Sequence, residues 1–261
     1  MLANPVRAKL LAGGTAFGTM AFEFFTPGLA HVLAAGGAEF VLLDMEHSGA
    51  GIDTMKAQIR FARAAGIVPG VRVPACERHL VSTILDAGAL GIMVPFMESA
   101  EQAAALVGWC RYRPKGTRGL AFGLAHDDYG TGAVRAKMDA ANEAVLTIGL
   151  IESARGVANA DAILAVEGFD LGWLGHYDLS DSLGIVEGFA DERYVEAERS
   201  LLRAAAAAGK PLGWLAPDGE AAAASMARGY RCIGIGTDIA LLRDAFAAEL
   251  GTAKNKGGDR R

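Results

Sequence analysis

Short apolar runs alternate along the chain with longer stretches whose apolar residues recur at helical spacing. The apolar runs predict strands at 17–22, 40–43, 68–73, 91–95, 145–151, 171–175, 212–215 and 231–235. The longer stretches predict helices at 27–35, 52–65, 79–87, 100–110, 154–166, 194–208, 219–227 and 239–250. Strands that are apolar almost throughout are typical of a parallel sheet buried on both faces. Eight such units favour an α/β fold with a single (β/α)8 TIM barrel over an open doubly wound sheet.

The length of the chain fits one domain of this kind. The chain has 261 residues, and a single α/β barrel typically needs about 250. We assign residues 1–252 to the barrel and predict a flexible, solvated tail at 253–261, where basic residues cluster. Residues 113–144 interrupt the repeat, with a helix expected from about Ala133. Long loops in compact barrels are usually functional, so we expect this segment to form a wall or a lid.

Composition excludes several classes of protein. Hydrophobic residues make up 52% of the chain, and the formal net charge of −5 comes without the basic stripe that a nucleic-acid binder requires. Every apolar stretch is interrupted by a charge before the roughly 18 residues that a membrane-spanning helix needs. The N-terminus lacks the apolar stretch of a secretory signal, and Cys76, Cys110 and Cys232 lie far apart. These features predict reduced thiols in a cytoplasmic protein.

Candidate chemistry lies where the strands end, because barrel enzymes build their active sites at the carboxyl ends of the strands. The polar or unusual residues at these positions are Asp44, Glu46, His47, Arg72, Glu152, Gly175, His176, Tyr177 and Asp178. We expect them to converge on one rim of the barrel.

Glu152 and Asp178 follow consecutive strands and form a candidate metal site. Oxygen ligands without a cysteine or a close histidine pair suit Mg²⁺ or Mn²⁺ rather than Zn²⁺. Each carboxylate alone has another interpretation, as an acid that caps the helix after it. Their placement as a pair favours the metal site.

Arg72 and His47 are candidates for the reaction itself. A guanidinium at the end of an apolar strand needs an anionic partner or a developing oxyanion, and the alternative partners of Arg72 are Asp44 and Glu46. An imidazole at a strand end is suited to be a general base near neutral pH. The alternative for His47 is a loop histidine bonded to a carbonyl group.

Two further patterns narrow the mechanism. No lysine directly follows a strand, which favours a metal-dependent route over one through an imine. The segment Gly234-Ile235-Gly236-Thr237-Asp238 is interpreted first as a turn and helix cap, with a phosphate site as the alternative.

Several motifs, in order over residues 17–242, resemble the HpcH/HpaI family of class II pyruvate aldolases. They are Leu43-Asp44-Met45-Glu46-His47, Val71-Arg72-Val73-Pro74, Leu85-Asp86-Ala87-Gly88, Pro95, Arg113-Pro114-Lys115-Gly116-Thr117-Arg118-Gly119, Ile151-Glu152 and Asp178-Leu179-Ser180.

The resemblance implies a barrel of the phosphoenolpyruvate/pyruvate type with a divalent cation, Mg²⁺, Mn²⁺ or Co²⁺, held by Glu152 and Asp178. It implies that Arg72 stabilises an enolate and that His47, supported by Asp86, transfers protons. The implied substrate contacts are Asp44, Arg72, Gly175, His176 and Tyr177, with backbone amides near Tyr177 and Asp178 holding a carboxylate. It also implies a homo-oligomer, a hexamer built as a trimer of dimers, whose last helix is exchanged between subunits.

The implied reaction is the reversible cleavage of a 4-hydroxy-2-oxo acid to an aldehyde and pyruvate, or a related 2-oxo acid such as hydroxypyruvate. The alternatives are a metal-dependent decarboxylase of oxaloacetate-type acids and a barrel that only binds an oxo acid. Two positions depart from the family pattern. Leu150 stands where many members have Gln, and His176-Tyr177 replaces Pro followed by a small residue, which affects the expected substrate more than the expected reaction.

Overall fold

Eight parallel strands close into one barrel in the order of the sequence, each strand hydrogen-bonded to the next and β8 to β1. A computed structural model describes residues 3–257 of the chain. The strands are β1 (Ala16–Ala21), β2 (Phe40–Asp44), β3 (Val68–Arg72), β4 (Gly91–Val94), β5 (Leu146–Ile151), β6 (Leu171–Leu174), β7 (Leu212–Ala216) and β8 (Cys232–Thr237). The predicted (β/α)8 fold is confirmed, and each strand lies within two residues of its predicted bounds.

Helices connect the strands and cover the outside of the barrel. They are α1 (Pro5–Leu11), α2 (Leu29–Ala35), α3 (Ile52–Ala64), α4 (Arg78–Asp86), α5 (Ala100–Cys110), α6 (Val134–Ala144), α7 (Ala154–Ala158), α8 (Ala160–Ala165), α9 (His176–Ser182), α10 (Glu192–Ala208), α11 (Gly219–Arg228) and α12 (Asp238–Gly257).

Some helix bounds differ from the predicted ones. The single helix expected at 154–166 is two short helices that meet at Asn159, the C-cap of α7 and N-cap of α8. The short helices α1 and α9 were not predicted, because seven residues are too few for a clear apolar period. Helix α12 continues to Gly257, so the first residues of the expected tail are helical. Residues 258–261 of that tail lie outside the described residues.

Helix α1 packs under the barrel, where the strands begin. The Asn4 side chain accepts a hydrogen bond from the Arg7 amide and donates to the carbonyl groups of Leu90 and Ala144. Arg7 in turn donates to both carboxylate oxygens of the buried Asp170. This end of the barrel is therefore held by hydrogen bonds and ion pairs that serve stability, whereas the opposite end is free to form a site.

The alternation of side chains along the strands divides the core into two layers. One set, including Met20, Leu42, Met93, Ile148 and Trp173, fills the inside of the barrel. The other set points outward and packs beneath the helices. The inner layer between the two ends of the barrel therefore consists of apolar side chains.

The segment at 113–144 packs against the ends of α3 and α4. Arg118 donates to Asp86 at 2.8 Å, and Arg63 donates to the Ala125 carbonyl group at 2.5 Å. The predicted helix in this segment is α6, which begins at Val134, one residue after the expected start. None of these residues lines the cavity described below, so within this chain the segment is not the wall or lid that the sequence indicated.

No helix among residues 3–257 is both long and apolar enough to cross a membrane. Cys76, Cys110 and Cys232 are free thiols, as predicted; Cys110 and Cys232 are buried and Cys76 is half-buried. Burial raises the pKa of the Cys110 thiol to about 12, so this cysteine is a packing residue rather than a nucleophile.

Candidate active site

A cavity of about 340 Å³ opens at the carboxyl ends of the strands. Seven predicted site residues line it, namely His47, Arg72, Glu152, Gly175, His176, Tyr177 and Asp178. Its floor is apolar and consists of Met20, Met93, Leu150, Trp173 and Leu215. A cavity of this size accommodates a small ligand with most of its surface buried. Charged groups therefore surround the mouth of a pocket whose lower part is hydrophobic.

Arg72 lies at the centre of an ion-pair cluster. Its Nε donates to Asp44 Oδ1 at 2.5 Å, and its Nη1 lies 3.1 Å from Glu46 Oε2. Asp44 and Arg72 are register partners on β2 and β3, which is why their side chains meet. Burial raises the pKa of Glu46, although Arg72 beside it acts in the opposite direction. Both alternative partners considered for Arg72 are thus real contacts, and its guanidinium still faces the cavity.

His47 follows this cluster on the loop after β2. Its backbone amide donates to Asp44 Oδ2 at 2.7 Å, so Asp44 binds both Arg72 and the turn that carries the histidine. The imidazole Nε2 lies 3.7 Å from Glu46 Oε2, and the side chain is 60% exposed. The imidazole is therefore within reach of both a ligand in the cavity and the surrounding water.

Glu152 is a buried carboxylate with little compensation. It is 3% exposed, and Oε1 accepts a hydrogen bond from the Phe96 amide at 2.8 Å. Among the described residues, Oε2 accepts no hydrogen bond. Burial raises the pKa of Glu152 to about 8, and the nearby Asp178 and Glu46 add to that rise. The group is therefore ionised at neutral pH only at a cost, unless a cation lies beside it.

Gly175 and Asp178 complete the carboxylate side of the cavity. The Gly175 amide donates to the Ile151 carbonyl group, which places the loop after β6 against the end of β5. A Cβ atom at position 175 would lie 2.5 Å from Glu152 Oε2, so any side chain there would collide with the carboxylate. Asp178 lies in the first turn of α9 and is exposed to the cavity.

These observations test whether a divalent cation fits this site. Two carboxylates share one cavity wall, and Glu152 has an oxygen without a partner and a pKa that a neighbouring cation would lower. Two carboxylates with room for water and substrate oxygens suit Mg²⁺ or Mn²⁺. No cluster of three or more acidic, histidine or cysteine side chains in metal-binding proximity exists among residues 3–257. The residues present fit a cation that completes its coordination with ligands from outside the protein.

His176 and Tyr177 belong to an aromatic cluster at the edge of the cavity that also contains Phe189 and Trp214. His176 Nδ1 accepts a hydrogen bond from Trp214 Nε1 at 3.2 Å, and the Tyr177 ring lies 4.4 Å from the imidazole, centroid to centroid. Phe189 packs edge-on against both rings. Burial lowers the pKa of His176 to about 4, so its imidazole is neutral at neutral pH. This packing accommodates the bulk of His176-Tyr177, and both residues also line the cavity.

The structure does not bring Asp86 to His47 within one chain. Asp86 is the last residue of α4, which ends near the start of β4, at the opposite end of the barrel. There it accepts a hydrogen bond from Arg118 at 2.8 Å and lies 4.0 Å from His126 Nδ1. The expected support of His47 by Asp86 therefore stays a prediction, and the two side chains do not meet within one chain.

The turn after β8 forms a helix cap, which is the first of the two interpretations given for the segment 234–238. Thr237 Oγ1 accepts a hydrogen bond from the Ala240 amide and caps α12. The carboxylate of Asp238 accepts hydrogen bonds from the amides of Phe22, Glu23 and Phe24. The Asp238 carboxylate thereby ties this turn to the loop after β1.

Sequence reasoning missed the apolar half of the site and one polar contact. Trp173 and Met93 are inward-facing residues whose place follows from the alternation along each strand, a signal present in the sequence. Leu150, at the position where family members often have Gln, is buried in the floor and adds hydrocarbon there. The contact of the Phe96 amide could not be predicted, because every residue except proline has a backbone N–H group and the residue type does not indicate which one reaches Glu152.

Comparison with known proteins agrees with this geometry. Residues 21–245 match the family described as HpcH/HpaI aldolase/citrate lyase. The chain belongs to this family. The resemblance drawn from the motifs is thereby confirmed, and membership makes this protein an enzyme with lyase activity.

Relatives in the HpcH/HpaI family match nearly the whole chain. The hydroxypyruvate/pyruvate aldolase of Delftia acidovorans is 38% identical over 95% of this chain and 92% of its own. The 2-keto-3-deoxy-L-rhamnonate aldolase of Klebsiella pneumoniae is 31% identical over 98% of this chain and 95% of its own. The crystal structure of an HpcH/HpaI aldolase from Desulfitobacterium hafniense has a TM-score of 0.91 at 28% identity and covers 97% of both chains.

The ion pair of Asp44 and Arg72 leads to a prediction about stability. We expect Asp44→Ala to lower the free energy of unfolding by about 3 kcal/mol, because it leaves a buried guanidinium with only Glu46 as a partner. Urea denaturation of the protein in EDTA measures this loss. Asp139→Ala is the matched control, since Asp139 pairs with Arg135 on an exposed helix surface and we expect a change below about 0.5 kcal/mol. Equal losses in the two variants would contradict the assigned role of the buried pair.

Proposed function

We propose that this protein is a metal-dependent class II aldolase that reversibly cleaves a 4-hydroxy-2-oxo acid into a 2-oxo acid and an aldehyde. The 2-oxo acid is pyruvate or a close analogue such as hydroxypyruvate. One observation carries the proposal: the undercompensated carboxylate of Glu152 shares a small cavity with Asp178, Arg72 and His47 in a chain of the HpcH/HpaI family. Relatives named as aldolases of hydroxypyruvate, pyruvate and keto-deoxy sugar acids support this substrate class.

Glu152 and Asp178 are the residues that would hold the divalent cation, Mg²⁺, Mn²⁺ or Co²⁺. When bound, the cation supplies a Lewis acid that draws electron density from the oxo group of the substrate. Arg72 adds a positive charge and hydrogen-bond donors at the cavity wall, where the oxo oxygen gains negative charge during cleavage. The backbone amides at the start of α9 and the residues Gly175, His176 and Tyr177 position the substrate carboxylate.

His47 carries the proton transfer in this proposal. As the bond between carbons 3 and 4 breaks, its imidazole accepts the proton of the 4-hydroxyl group, and carbon 4 leaves as an aldehyde. The bonding electrons pass to carbon 3 and the oxo oxygen as an enolate. Protonation of carbon 3 then gives the 2-oxo acid. Among residues 3–257 no lysine lines the cavity, which supports this route over one through an imine.

We further propose a homo-oligomer, a hexamer built as a trimer of dimers, located in the cytoplasm. Helix α12 contacts its own barrel mainly through β1 and β8 and leaves a row of apolar side chains exposed. They are Ile239, Leu242, Phe246 and Leu250, which share one face of the helix and are each between 41% and 66% exposed. An apolar face of this kind is typical of a subunit interface. Exchange of α12 between subunits would cover it.

The metal requirement is tested by removal and restoration. We expect EDTA to abolish release of pyruvate from 4-hydroxy-2-oxo acids and Mn²⁺ or Mg²⁺ to restore it. Glu152→Gln and Asp178→Asn should each prevent restoration, because an amide supplies no negative charge to hold the cation. Glu167→Gln, an exposed carboxylate of similar size, is the control and should behave as wild type. Activity that survives both EDTA and the double variant would contradict the metal site.

Incubation with oxaloacetate, and separately with pyruvate and an aldehyde, distinguishes the aldolase from the alternatives. If the protein decarboxylates oxaloacetate but forms no carbon–carbon bond between pyruvate and an aldehyde, the activity is that of a decarboxylase and the aldolase proposal is wrong. Binding of a 2-oxo acid without turnover of any kind would leave only an oxo-acid-binding barrel. The names of the relatives favour neither alternative.

The role of His47 leads to a kinetic prediction. We expect His47→Ala to lower kcat by roughly 10²–10⁴-fold, because that is the usual contribution of a positioned general base. Binding of pyruvate, measured by calorimetry in the presence of Mn²⁺, should be retained, since the cation and Arg72 are unchanged. His79→Ala is the matched control on an exposed histidine outside the cavity. An unchanged kcat in His47→Ala would remove His47 from the mechanism.

The exposed face of α12 leads to a prediction about assembly. We expect the double variant Leu242→Asp, Phe246→Asp to dissociate the oligomer, because two charges would enter an apolar interface. Sedimentation velocity measures the change in mass. Thr252→Asp, which adds a charge to another face of α12, should leave the assembly intact. A wild-type protein that sediments as a monomer would contradict the proposed oligomer.

A further inference from the structure

Phe96 has a backbone conformation that is rare for its residue type. It follows β4 by two residues and has a φ of +47°, in the left-handed region that favours glycine. The residue is 48% exposed, so its ring is only partly packed against the rest of the protein. Such conformations persist where the surrounding structure holds them, and they cluster at functional sites.

The conformation directs the Phe96 amide at Glu152. The N–H group donates to Oε1 at 2.8 Å, and this is the hydrogen bond that the Glu152 carboxylate receives from the described residues. The other oxygen, Oε2, lies beside Gly175 at the cavity wall. One backbone donor therefore decides which carboxylate oxygen is engaged and which is left for a ligand.

The loop that carries Phe96 is hydrogen-bonded to β5 before Glu152 and to the residues around α7 after it. The Met97 amide donates to the Leu150 carbonyl group at 2.9 Å. Ser153 Oγ donates to Glu98 Oε1 at 2.6 Å, and Asn159 Nδ2 donates to the Glu98 carbonyl group at 2.7 Å. These bonds connect the residues that follow Phe96 to residues before and after Glu152 and so restrain the Phe96 backbone.

We propose that Phe96 is a positioning residue whose left-handed backbone holds Glu152 in the orientation that binds the divalent cation. This inference rests on the proposed function, because it assumes that Glu152 is a metal ligand. Hydrogen bonds from outside the coordination sphere orient carboxylate ligands, and their loss typically weakens metal affinity by about 10–100-fold. Phe96 acts through Glu152 and needs no contact with the substrate.

The test removes the N–H group and keeps the side chain. Nonsense suppression with the α-hydroxy analogue of phenylalanine replaces the amide at position 96 by an ester, which has no donor. We expect this protein to bind Mn²⁺ about tenfold more weakly than wild type or worse. Equilibrium titration of the full-length protein with Mn²⁺, followed by the electron paramagnetic resonance of the free ion, gives the affinity without any turnover. Thermal unfolding shows that the variant is folded.

The matched control is the same ester at position 97, which removes the bond from Met97 to the Leu150 carbonyl group in the same loop. We expect it to change the Mn²⁺ affinity by less than about threefold, since it removes no donor from the carboxylate. Wild-type affinity in the position-96 ester, or equal weakening in both esters, would overturn the inference and leave the metal site standing. Absence of Mn²⁺ binding by the wild-type protein would overturn the proposed metal site and this inference together.

Discussion

Carboxylates buried above a hydrophobic floor lose hydration, and each must recover that free energy from a nearby donor or cation. Asp44 and Glu46 are compensated by the guanidinium of Arg72, which contacts both. Glu152 has one hydrogen bond from a backbone amide, and burial raises its pKa to about 8. Arg72 therefore balances the charges of Asp44 and Glu46, whereas the Glu152 carboxylate, which faces the cavity, is balanced least. A cation bound beside Glu152 would remove the remaining cost, which is why this wall is suited to one.

The closed parallel sheet is what brings these charges together. Asp44 and Arg72 are register partners on adjacent strands, and the loop that starts at Gly175 is hydrogen-bonded to the end of β5. Gly175 leaves the space that the Glu152 carboxylate fills. The apolar floor lowers the local dielectric constant, so that an arginine and a cation act more strongly on a developing oxyanion than they would in water. The barrel thus places the charged groups where the proposed chemistry needs them.

Much of this arrangement was predictable because it depends on position along a strand. Near-continuous apolar runs identified the strands, and residues directly after a strand in a parallel barrel must lie on one rim. His47, Arg72, Glu152 and Asp178 are accordingly found around one cavity. The same rule does not reach Asp86, which ends a helix. Its partner Arg118 comes from the long segment after α5, and no local pattern indicates where that segment packs.

The barrel, the family and the set of residues on the rim could be read from the sequence, because periodicity, motifs and strand ends are local properties. The contacts among these residues depend on how the chain packs, and they are visible in the folded protein. It pairs Arg72 with Asp44 and Glu46, joins His176 to Trp214 by a hydrogen bond, and aims the Phe96 amide at Glu152. These contacts join residues from separate strands and loops, and their energies depend on distance and burial. Neither quantity is a property of the residue types alone.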